Sequence, residues 1–579
     1  FPHSFSSLLL HKLFGFALEY VILACVAGTI ATENSVEKQL LVAAPTGKIR
    51  GSVMTSRLGR TIYSFRGVRY AEAPTGHRRF QPPVPAADWQ SVFDASEEGP
   101  SCPQSKGQLQ SEDCLRLNVY TTKLPCKNEN VSRPVMVFIH PGGFYGFSGQ
   151  SLLFGPQYLL DKDIVLVTIN YRLGALGFLS TGENLAPGNM GLKDQVVALR
   201  WVKRNIAAFG GDPNAVTLCG DSAGSLSIML HMVSPMSGDL FHRAISMSAS
   251  AMAPDVYSGI ATNGQKQLST KLARLLDCPT DSTGSMLLCL CTKPVENFTD
   301  TLESLFDWRG NPILLWKPTI EPQVRGVERF LTAQPYDLIK QGKFKQVPYI
   351  LGVTENEFGG VASRKYALNN GTLYEELDEN WNRLSPIIFY YERDTPRSNH
   401  ISNELRRFYF DDQPIGSETI QGLSDVYADG IIIFSMYRAA KIFASKSNQP
   451  VYFYKFNYKS RYSFRMWNDT TPFDVDHQDD LQYLFYMKQL FPYFEPDAPE
   501  IPMVEVSTSM WANFVETGEP IPRNDDRFKG VTWSTFVPAR TNFLEISPRP
   551  TMKNVFFPDR MRLWERLFPL PSDTKNVKH

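Results

Sequence analysis

The chain has 579 residues, of which 43% are hydrophobic and 20% are charged, so it can bury a large core and is not a disordered protein. Lys and Arg together number 59, as do Asp and Glu, and this zero net charge argues against a nucleic-acid-binding protein. The length allows either several domains or one large α/β domain with insertions.

An apolar stretch near the start of the chain is typical of a targeting segment. Residues 20–31 are almost uncharged and follow a weakly basic start. The stretch suits the apolar region of a signal peptide and is shorter than the roughly 20 residues that cross a bilayer. We therefore predict a signal peptide over residues 1–31, a single domain over 32–572 and a polar tail over 573–579. An amphipathic anchor is the alternative for the first segment.

Sequons agree with secretion. Four asparagines stand in Asn-x-Ser/Thr sequons: Asn130, Asn297, Asn370 and Asn468. The polar tail has neither an ER-retention tetrapeptide nor a hydrophobic anchor signal. We therefore predict a secreted, extracellular glycoprotein whose mature chain has no stable membrane insertion.

Cysteine spacing points to the same compartment. Cys102 lies close to Cys114 in the sequence, and Cys278 lies close to Cys289. Loops this short suit disulfides in an oxidising environment. No Cys-x-x-Cys or His-x-x-x-His spacing appears, so we infer no structural metal.

Apolar runs and helical patterns alternate along the chain. Continuous apolar runs predict strands at residues 134–139, 164–170, 216–219, 349–353 and 451–456. Helical patterns cover residues 191–208 and about 225–233. This alternation indicates an α/β fold with a large, mostly parallel sheet covered by helices on both faces. Segments 257–345 and 370–445 are predicted to be helix-rich insertions that wall the site.

A serine lies in a glycine turn between a predicted strand and a predicted helix. Residues 220–224 read Gly-Asp-Ser-Ala-Gly, and this strand–turn–helix setting is that of a nucleophile elbow. Gly220 and Gly224 are needed because a Cβ at either position would collide with neighbouring backbone. The turn exposes Ser222 Oγ, and the Ala223 N–H lies at a helix N-terminus, where the dipole favours negative charge. The alternative is a serine in an ordinary turn.

A serine nucleophile needs a base, and in this architecture the chain order is Ser, acid, His. Three histidines lie in the last third of the chain: His400, His477 and His579. His400 lies in a polar, surface-like run, and His579 is the terminal residue. His477 lies in a loop after a predicted strand, which suits a base that projects over the sheet. We predict His477 as the base, with a surface histidine as the alternative.

Two carboxylates compete for the role of the acid. Glu355 and Glu357 both follow the strand that begins at Tyr349, and sequence spacing does not separate them. The acid fixes the imidazole tautomer and stabilises the imidazolium. The unused glutamate is expected to be solvated or in a salt bridge.

A second glycine turn supplies candidate oxyanion donors. Gly142 and Gly143 follow the strand at 134–139, and their N–H groups can approach a carbonyl because neither residue has a side chain. With Ala223 they make three donors, each worth roughly 10²–10³ in rate. A plain turn is the alternative.

Six motifs resemble those of a known family. They lie at residues 65–71, 111–120, 170–174, 210–214, 220–224 and 562–569 and read FRGVRYA, SEDCLRLNVY, NYRLG, GGDPN, GDSAG and RLWERLFP. On these motifs the chain resembles the type-B carboxylesterase/cholinesterase family of α/β-hydrolases, especially the secreted insect esterases, over about residues 40–570. The resemblance implies the α/β-hydrolase fold.

The resemblance also implies residue roles. Ser222 matches the family's nucleophile, and His477 matches its base. The family's acid stands five residues after a strand-end glycine, so counting from Gly352 selects Glu357 over Glu355. The resemblance supports both cysteine pairs as well.

Two departures from the family pattern bear on function. Pro141 fills the first glycine position of the usual His-Gly-Gly-Gly, but the donor positions remain Gly142 and Gly143, so we expect the oxyanion hole to survive. The loop between Cys102 and Cys114 has no Trp. In cholinesterases resembling this family, such a Trp binds the quaternary ammonium by cation–π attraction. Its absence argues against choline esters.

The sequence therefore predicts a secreted serine carboxylesterase that hydrolyses small hydrophobic carboxyl esters through an acyl-enzyme, without a cofactor or metal. One alternative is a non-catalytic adhesion protein on the same fold. A second is an esterase that sequesters esters and turns them over slowly.

Overall fold

The computed structural model describes residues 40–105, 109–126, 129, 131–253, 262–360, 372–464, 475–522 and 525–570. The predicted signal peptide at 1–31 and the tail at 573–579 lie outside the described residues. So do three of the sequon asparagines, Asn130, Asn370 and Asn468. The fourth, Asn297, is half-buried on a short helix.

Most strands of the described residues belong to one sheet of eleven strands. The strands are β1 (Leu41–Ala44), β2 (Gly47–Arg50), β3 (Ser52–Thr55), β4 (Thr61–Arg69), β5 (Phe93–Asp94), β6 (Arg116–Thr121), β7 (Arg133–Ile139), β8 (Val165–Ile169), β9 (Gly211–Asp221), β10 (Arg243–Met247), β11 (Tyr349–Thr354), β12 (Val451–Phe456), β13 (Phe543–Ile546) and β14 (Thr551–Lys553). The order across the large sheet is β14-β13-β12-β11-β10-β9-β7-β8-β6-β4-β3, and β1, β2 and β5 form a small second sheet.

The sheet is parallel in its centre and antiparallel at its edges. Every neighbouring pair from β8 across to β13 is parallel. In contrast, β14 pairs antiparallel with β13, and β3, β4 and β6 continue antiparallel from β8. The predicted, mostly parallel sheet is confirmed. Its antiparallel edges were not predicted from the sequence.

Helices fill the connections between the strands. They are α1 (Gly174–Phe178), α2 (Met190–Asn205), α3 (Ala223–Val233), α4 (Thr262–Leu275), α5 (Thr283–Thr292), α6 (Val295–Asp300), α7 (Leu302–Leu305), α8 (Pro335–Lys340), α9 (Thr372–Glu379), α10 (Trp381–Phe389), α11 (Pro396–Phe410), α12 (Ile420–Ala428), α13 (Phe434–Lys446), α14 (Ile501–Thr517) and α15 (Pro558–Leu567). Helices α4 to α8 and α9 to α13 occupy the two segments that the sequence predicts as helix-rich insertions.

Strand β7 shows how the sheet is covered on both faces. Its side chains alternate between two cores because successive residues of a strand point to opposite faces. Val137 belongs to the core that includes Leu226 of α3, whereas Phe138 belongs to the core that includes Trp511 of α14. A strand buried on both faces is apolar throughout, which explains the continuous apolar run in the sequence.

None of the helices in the described part of the chain combines the length and the apolar character that crossing a membrane requires.

Candidate active site

Ser222 lies where β9 ends and α3 begins. Its backbone has φ +54° and ψ −120°, a conformation that non-glycine residues rarely adopt and that costs on the order of 1–3 kcal/mol. The Ser222 N–H donates to the carbonyl of Met247 on β10, and the Leu226 N–H donates to the Ser222 carbonyl, which holds the turn from both sides. The side chain is only partly buried. The turn therefore presents the hydroxyl at the end of the sheet.

The two glycines of this turn have no room for a side chain. A Cβ on Gly224 would lie 2.0 Å from the Ile139 carbonyl oxygen, and a Cβ on Gly220 would lie 2.8 Å from the Gly224 carbonyl carbon. Both neighbours are backbone atoms and cannot rotate away. The predicted collision is thus confirmed at both positions.

His477 and Glu357 lie in direct contact with each other. His477 Nδ1 lies 2.5 Å from Glu357 Oε2, and both side chains are buried. The other Glu357 oxygen, Oε1, accepts the Thr354 N–H at 2.8 Å, which ties the carboxylate to the end of β11. His477 Nε2 is buried without a hydrogen-bond partner among the described residues, so it has an unused position for a proton.

The competing residues have other surroundings. Glu355 pairs with Lys455 of β12. His400 is exposed on α11, and His579 lies outside the described residues.

Phe358 contacts His477, and the sequence did not predict this contact. Its ring stacks on His477 with centroids 4.0 Å apart, and it also lines the cavity beside Ser222. Phe358 has φ +56°, so the turn after Glu357 adopts an uncommon backbone conformation to place this ring. The only sequence signal was its position immediately after Glu357.

The electrostatic surroundings favour the protonated imidazole. Burial lowers the pKa of His477, but the charge and hydrogen bond of Glu357, followed by the charges of Asp221 and Asp476, raise it overall from 6.5 to about 9. Burial has the opposite effect on a carboxyl group, and it raises the pKa of Asp221 well above its ordinary value. The site therefore contains several buried acidic groups near one imidazole.

The two candidate sources of oxyanion donors lie on different elements. Ala223 is the first residue of α3, so its N–H is one of those that an α-helix leaves without an intrahelical acceptor. Gly143 has φ +60°, and both it and Ala223 line the cavity with Ser222. Gly142 has φ +109°, and a Cβ there would lie 2.2 Å from the Gly146 carbonyl oxygen. Gly142 is partly exposed but is not among the residues that line this cavity.

His140 and Pro141 hold the second glycine turn. The buried His140 ring stacks on Tyr171 with centroids 4.4 Å apart, and its Nδ1 lies 2.7 Å from the Pro141 carbonyl oxygen. Burial lowers the pKa of His140 to about 4, so the ring is neutral and its Nδ1–H donates to that carbonyl. Pro141 thus takes part in a local hydrogen bond that stabilises the turn.

An apolar cavity is lined in part by Ser222. Ala249, Ser250 and Ala253 come from the segment after β10. The walls from the two helix-rich insertions carry Ile313, Leu314, Tyr390, Ile431 and Ile432. The predicted role of these insertions as walls is therefore confirmed. Apart from Ser222, the only described lining residues with polar side-chain atoms are Ser250 and Tyr390.

Two disulfides join Cys102 to Cys114 and Cys278 to Cys289. Cys126, Cys219 and Cys291 are free thiols. The described residues include no group of three or more His, Cys, Asp or Glu side chains arranged to hold a metal ion.

Comparison with known proteins gives concordant matches. A model described as the carboxylesterase family matches residues 38–564. Esterase E4 of Myzus persicae is 36% identical over 522 residues, which cover 88% of this chain and 91% of that protein. Juvenile hormone esterase of Tribolium castaneum is 33% identical over 505 residues, which cover 84% of each.

The fold comparison agrees. A crystal structure of juvenile hormone esterase from Manduca sexta, with OTFP covalently attached, is similar with a TM-score of 0.79 and 28% identity, and the match covers 92% of this chain and 100% of that one. The chain described here belongs to the carboxylesterase family and is a serine carboxylic ester hydrolase.

Proposed function

We propose that Ser222, His477 and Glu357 form the catalytic triad of this esterase. The supporting observation is the 2.5 Å contact between His477 and Glu357, together with Phe358, whose ring stacks on His477 and lines the cavity that contains Ser222. With Nδ1 bonded to Glu357, the neutral imidazole carries its proton on that nitrogen and leaves Nε2 free to accept one. In enzymes without bound substrate, the hydrogen bond between nucleophile and base is often long, and it shortens when substrate binds. The absence of a partner at Nε2 is therefore compatible with His477 as the base.

The reaction follows from these positions. His477 Nε2 takes the Ser222 proton while Oγ attacks the ester carbonyl and forms a tetrahedral intermediate. His477 then gives the proton to the leaving alkoxide, so alcohol departs and an acyl-enzyme remains. Water repeats the attack with His477 again as the base, and the carboxylic acid is released with Ser222 regenerated.

The tetrahedral oxyanion is bound by backbone N–H groups of Ala223, Gly143 and Gly142. The α3 dipole adds to the donation from Ala223 because that N–H lies at the positive end of the helix. We assign Gly143 and Ala223 the central part because both line the cavity. Removing one such donor costs roughly 10²–10³ in kcat, so the hole supplies a large share of the rate enhancement.

The substrate is a hydrophobic carboxyl ester. The cavity walls offer isoleucine, leucine and aromatic side chains with few polar groups. An apolar acyl or alcohol chain gains about 25 cal/mol per Å² of its own surface that these walls remove from water. A charged group in the same place would be desolvated with no partner among these residues.

Active-site titration tests this function. Diethyl p-nitrophenyl phosphate should label the protein with about one phosphoryl group per chain, because only an activated serine is phosphorylated readily. The protein should also hydrolyse p-nitrophenyl acetate, and Ser222→Ala should abolish both signals. Ser250→Ala is the matched control because Ser250 also lines the cavity but has no base beside it in our assignment.

The same titration separates the alternatives. A wild-type protein that is not labelled would contradict the triad and favour a non-catalytic role. Labelling with almost no turnover would instead favour a protein that sequesters esters.

We also propose that the protein is secreted. The two disulfides suit an oxidising compartment. Expression of the full chain in insect cells should place the protein in the medium, and a glycosidase should shift its mass. Retention in the cytosol with unmodified asparagines would contradict this proposal.

A further inference from the structure

A π-helical turn forms part of the cavity wall. It covers Asp429–Ile433 and joins α12 to α13 in one continuous helical run. Ile431 and Ile432, two of its five residues, line the cavity that contains Ser222. π turns inside helices are rare and are found frequently at functional sites. This turn therefore sets where two apolar side chains lie relative to the proposed nucleophile.

The first residue of the turn is held by the last helix of the described chain. Asp429 is completely buried, and Arg560 of α15 binds it with both ends of its guanidinium. Nε lies 2.6 Å from Oδ2, and Nη2 lies 2.6 Å from Oδ1. Such a bidentate pair fixes direction as well as distance. Tyr409 of α11 also donates its hydroxyl to Asp429 Oδ2.

The backbone of the turn is also closely packed against aromatic rings. A Cβ on Gly430 would lie 2.5 Å from the Phe389 ring and 2.9 Å from the Trp564 ring. The backbone at Gly430 is thus enclosed by α10 and α15. Tyr390, the residue after Phe389, lines the same cavity. The ion pair holds Asp429, and this packing encloses the next residue, Gly430, so both support the same cavity wall.

We propose that the Asp429–Arg560 ion pair is a specificity-determining support of the ester pocket, which fixes the π turn so that Ile431 and Ile432 present a rigid wall to the apolar chain of the substrate. This inference rests on the proposed function, in which Ser222 attacks an ester within the same cavity. Arg560 does not line the cavity, so it acts as a positioning residue through Asp429 and the turn.

The physical argument concerns the alternative conformation of the turn. A buried carboxylate that loses its partner is strongly destabilised, and the chain relieves this by moving Asp429 toward solvent or another donor. Ile431 and Ile432 lie only two and three residues from Asp429, so any such movement displaces them. Long ester chains depend on these side chains, whereas an acetyl group does not extend far enough to need the whole wall.

The experiment compares esters of increasing chain length. Arg560→Lys keeps the charge but loses the planar fork that makes two hydrogen bonds. We measure kcat/KM for p-nitrophenyl acetate, butanoate and octanoate. One methylene in an apolar pocket discriminates by roughly 10–200-fold, so we expect the octanoate-to-acetate ratio to fall by about fivefold or more.

A matched control lies on the same helix. Arg562 is exposed and pairs with Asp559 of its own helix. Arg562→Lys should leave the octanoate-to-acetate ratio at the wild-type value. An equal change in both variants would overturn the proposal because it would reflect a general loosening of α15.

A double-variant cycle makes the test specific to the wall. Ile432→Ala alone should also lower the ratio. If Arg560 acts through this wall, the effect of Ile432→Ala should be much smaller in the Arg560→Lys background, since residues that share a contact network are not additive. Multiplicative effects, or a ratio unaffected by Arg560→Lys, would overturn the inference.

Folding and function are monitored separately. If Arg560→Lys does not fold, Tyr409→Phe removes one donor from Asp429 and should lower the ratio in the same direction by a smaller factor. Labelling by diethyl p-nitrophenyl phosphate is recorded for every variant. Absence of labelling in the wild type contradicts the proposed function, whereas normal labelling with unchanged ratios contradicts only the ion-pair inference.

Discussion

Gln478 Nε2 donates a hydrogen bond of 2.9 Å to Asp221 Oδ1. Gln478 follows the proposed base, His477, and Asp221 precedes the proposed nucleophile, Ser222. Both partners are buried, so one hydrogen bond joins the loop of the base to the strand of the nucleophile. Gln478 has φ +73°, a left-handed conformation that costs a non-glycine residue roughly 1–2 kcal/mol.

Replacing Gln478 by glycine should separate stability from catalysis. Gln478→Gly relieves the backbone strain but removes the hydrogen bond to the buried Asp221 carboxyl group, and leaving such a buried acceptor unsatisfied costs about 1–3 kcal/mol. The two effects oppose each other, so we expect the free energy of unfolding to change by no more than about 2 kcal/mol. Urea unfolding measures this change.

Gln478→Gly should also shift the pH profile of kcat/KM to lower pH. Burial raises the pKa of Asp221, and the Gln478 hydrogen bond lowers it. Without that bond the pKa of Asp221 rises further, which weakens the charge by which Asp221 raises the pKa of His477. Because the base must be unprotonated, the acid limb of kcat/KM for p-nitrophenyl acetate should shift downward. Gln478→Asn, which tolerates the left-handed backbone but is too short to reach Asp221, should shift it similarly; an unshifted profile would contradict the coupling.

Glu357→Gln should reduce kcat severely and also lower the acid limb. The amide keeps the shape of the carboxylate but neither fixes the productive tautomer nor stabilises the imidazolium, and this change costs about 10⁴ in kcat in a serine protease. The pKa of His477 stands near 9 in the wild type, so kcat/KM should rise with pH through the range between 6.5 and that value. Losing the Glu357 charge removes the main influence that raises this pKa, so the rise should begin at lower pH.

A control for this variant lies two residues away. Glu355 pairs with Lys455, whereas the imidazole of His477 pairs with Glu357. Glu355→Gln should retain nearly the wild-type kcat and pH profile. Equal losses in the two variants would show that the strand end, rather than the specific carboxylate, is responsible.

Local motifs in the sequence predicted the turn at Ser222 well because its constraints are local. Gly220 and Gly224 avoid backbone atoms of the same turn and of the adjacent strand, and the motif encodes this need directly. The choice between Glu355 and Glu357 was different. Both follow β11 within three residues, and which one faces His477 depends on how the turn closes. Resemblance to the family, rather than spacing, singled out Glu357.

Other features depend on contacts far apart in the sequence. The π turn at Asp429–Ile433 has no local signal because it is held by Arg560, about 130 residues later. The antiparallel strands at the sheet edge were likewise not predicted, since their pairing depends on the rest of the sheet. The left-handed backbone of Gln478 was not predicted either, because its side-chain hydrogen bond joins it to Asp221, more than 250 residues earlier in the chain.

Gly224→Ala should destabilise the protein and abolish ester hydrolysis. The new methyl group would lie 2.0 Å from the Ile139 carbonyl oxygen, so β7 and the Ser222 turn would have to separate. Overpacking typically costs about 1–3 kcal/mol, and a backbone collision this close belongs at the upper end. Gly238→Ala is the control, because a Cβ there meets nothing within 4 Å. Thermal unfolding and p-nitrophenyl acetate hydrolysis measure both effects, and a Gly224→Ala protein with wild-type activity would contradict the assigned turn geometry.

The buried ion pair of Arg172 and Asp194 should support the second glycine turn. Arg172 Nε lies 2.8 Å from Asp194 Oδ2, Nη2 lies 2.7 Å from Oδ1, and both side chains are almost completely buried. Asp194 also accepts the Arg172 backbone N–H, so it fixes the segment whose neighbour Tyr171 stacks on His140.

Removing one partner of this pair should cost more than removing both. Arg172→Met leaves a buried, unpaired carboxylate and should lower the free energy of unfolding by about 3–5 kcal/mol, whereas Arg172→Met combined with Asp194→Leu should be less destabilised than Arg172→Met alone. Because Tyr171 would lose its support in both proteins, kcat should fall in the double variant even where its stability recovers. Chemical denaturation and kcat measured on the folded fraction provide the test. A double variant less stable than Arg172→Met would show that the aspartate stabilises the fold through contacts other than this pair.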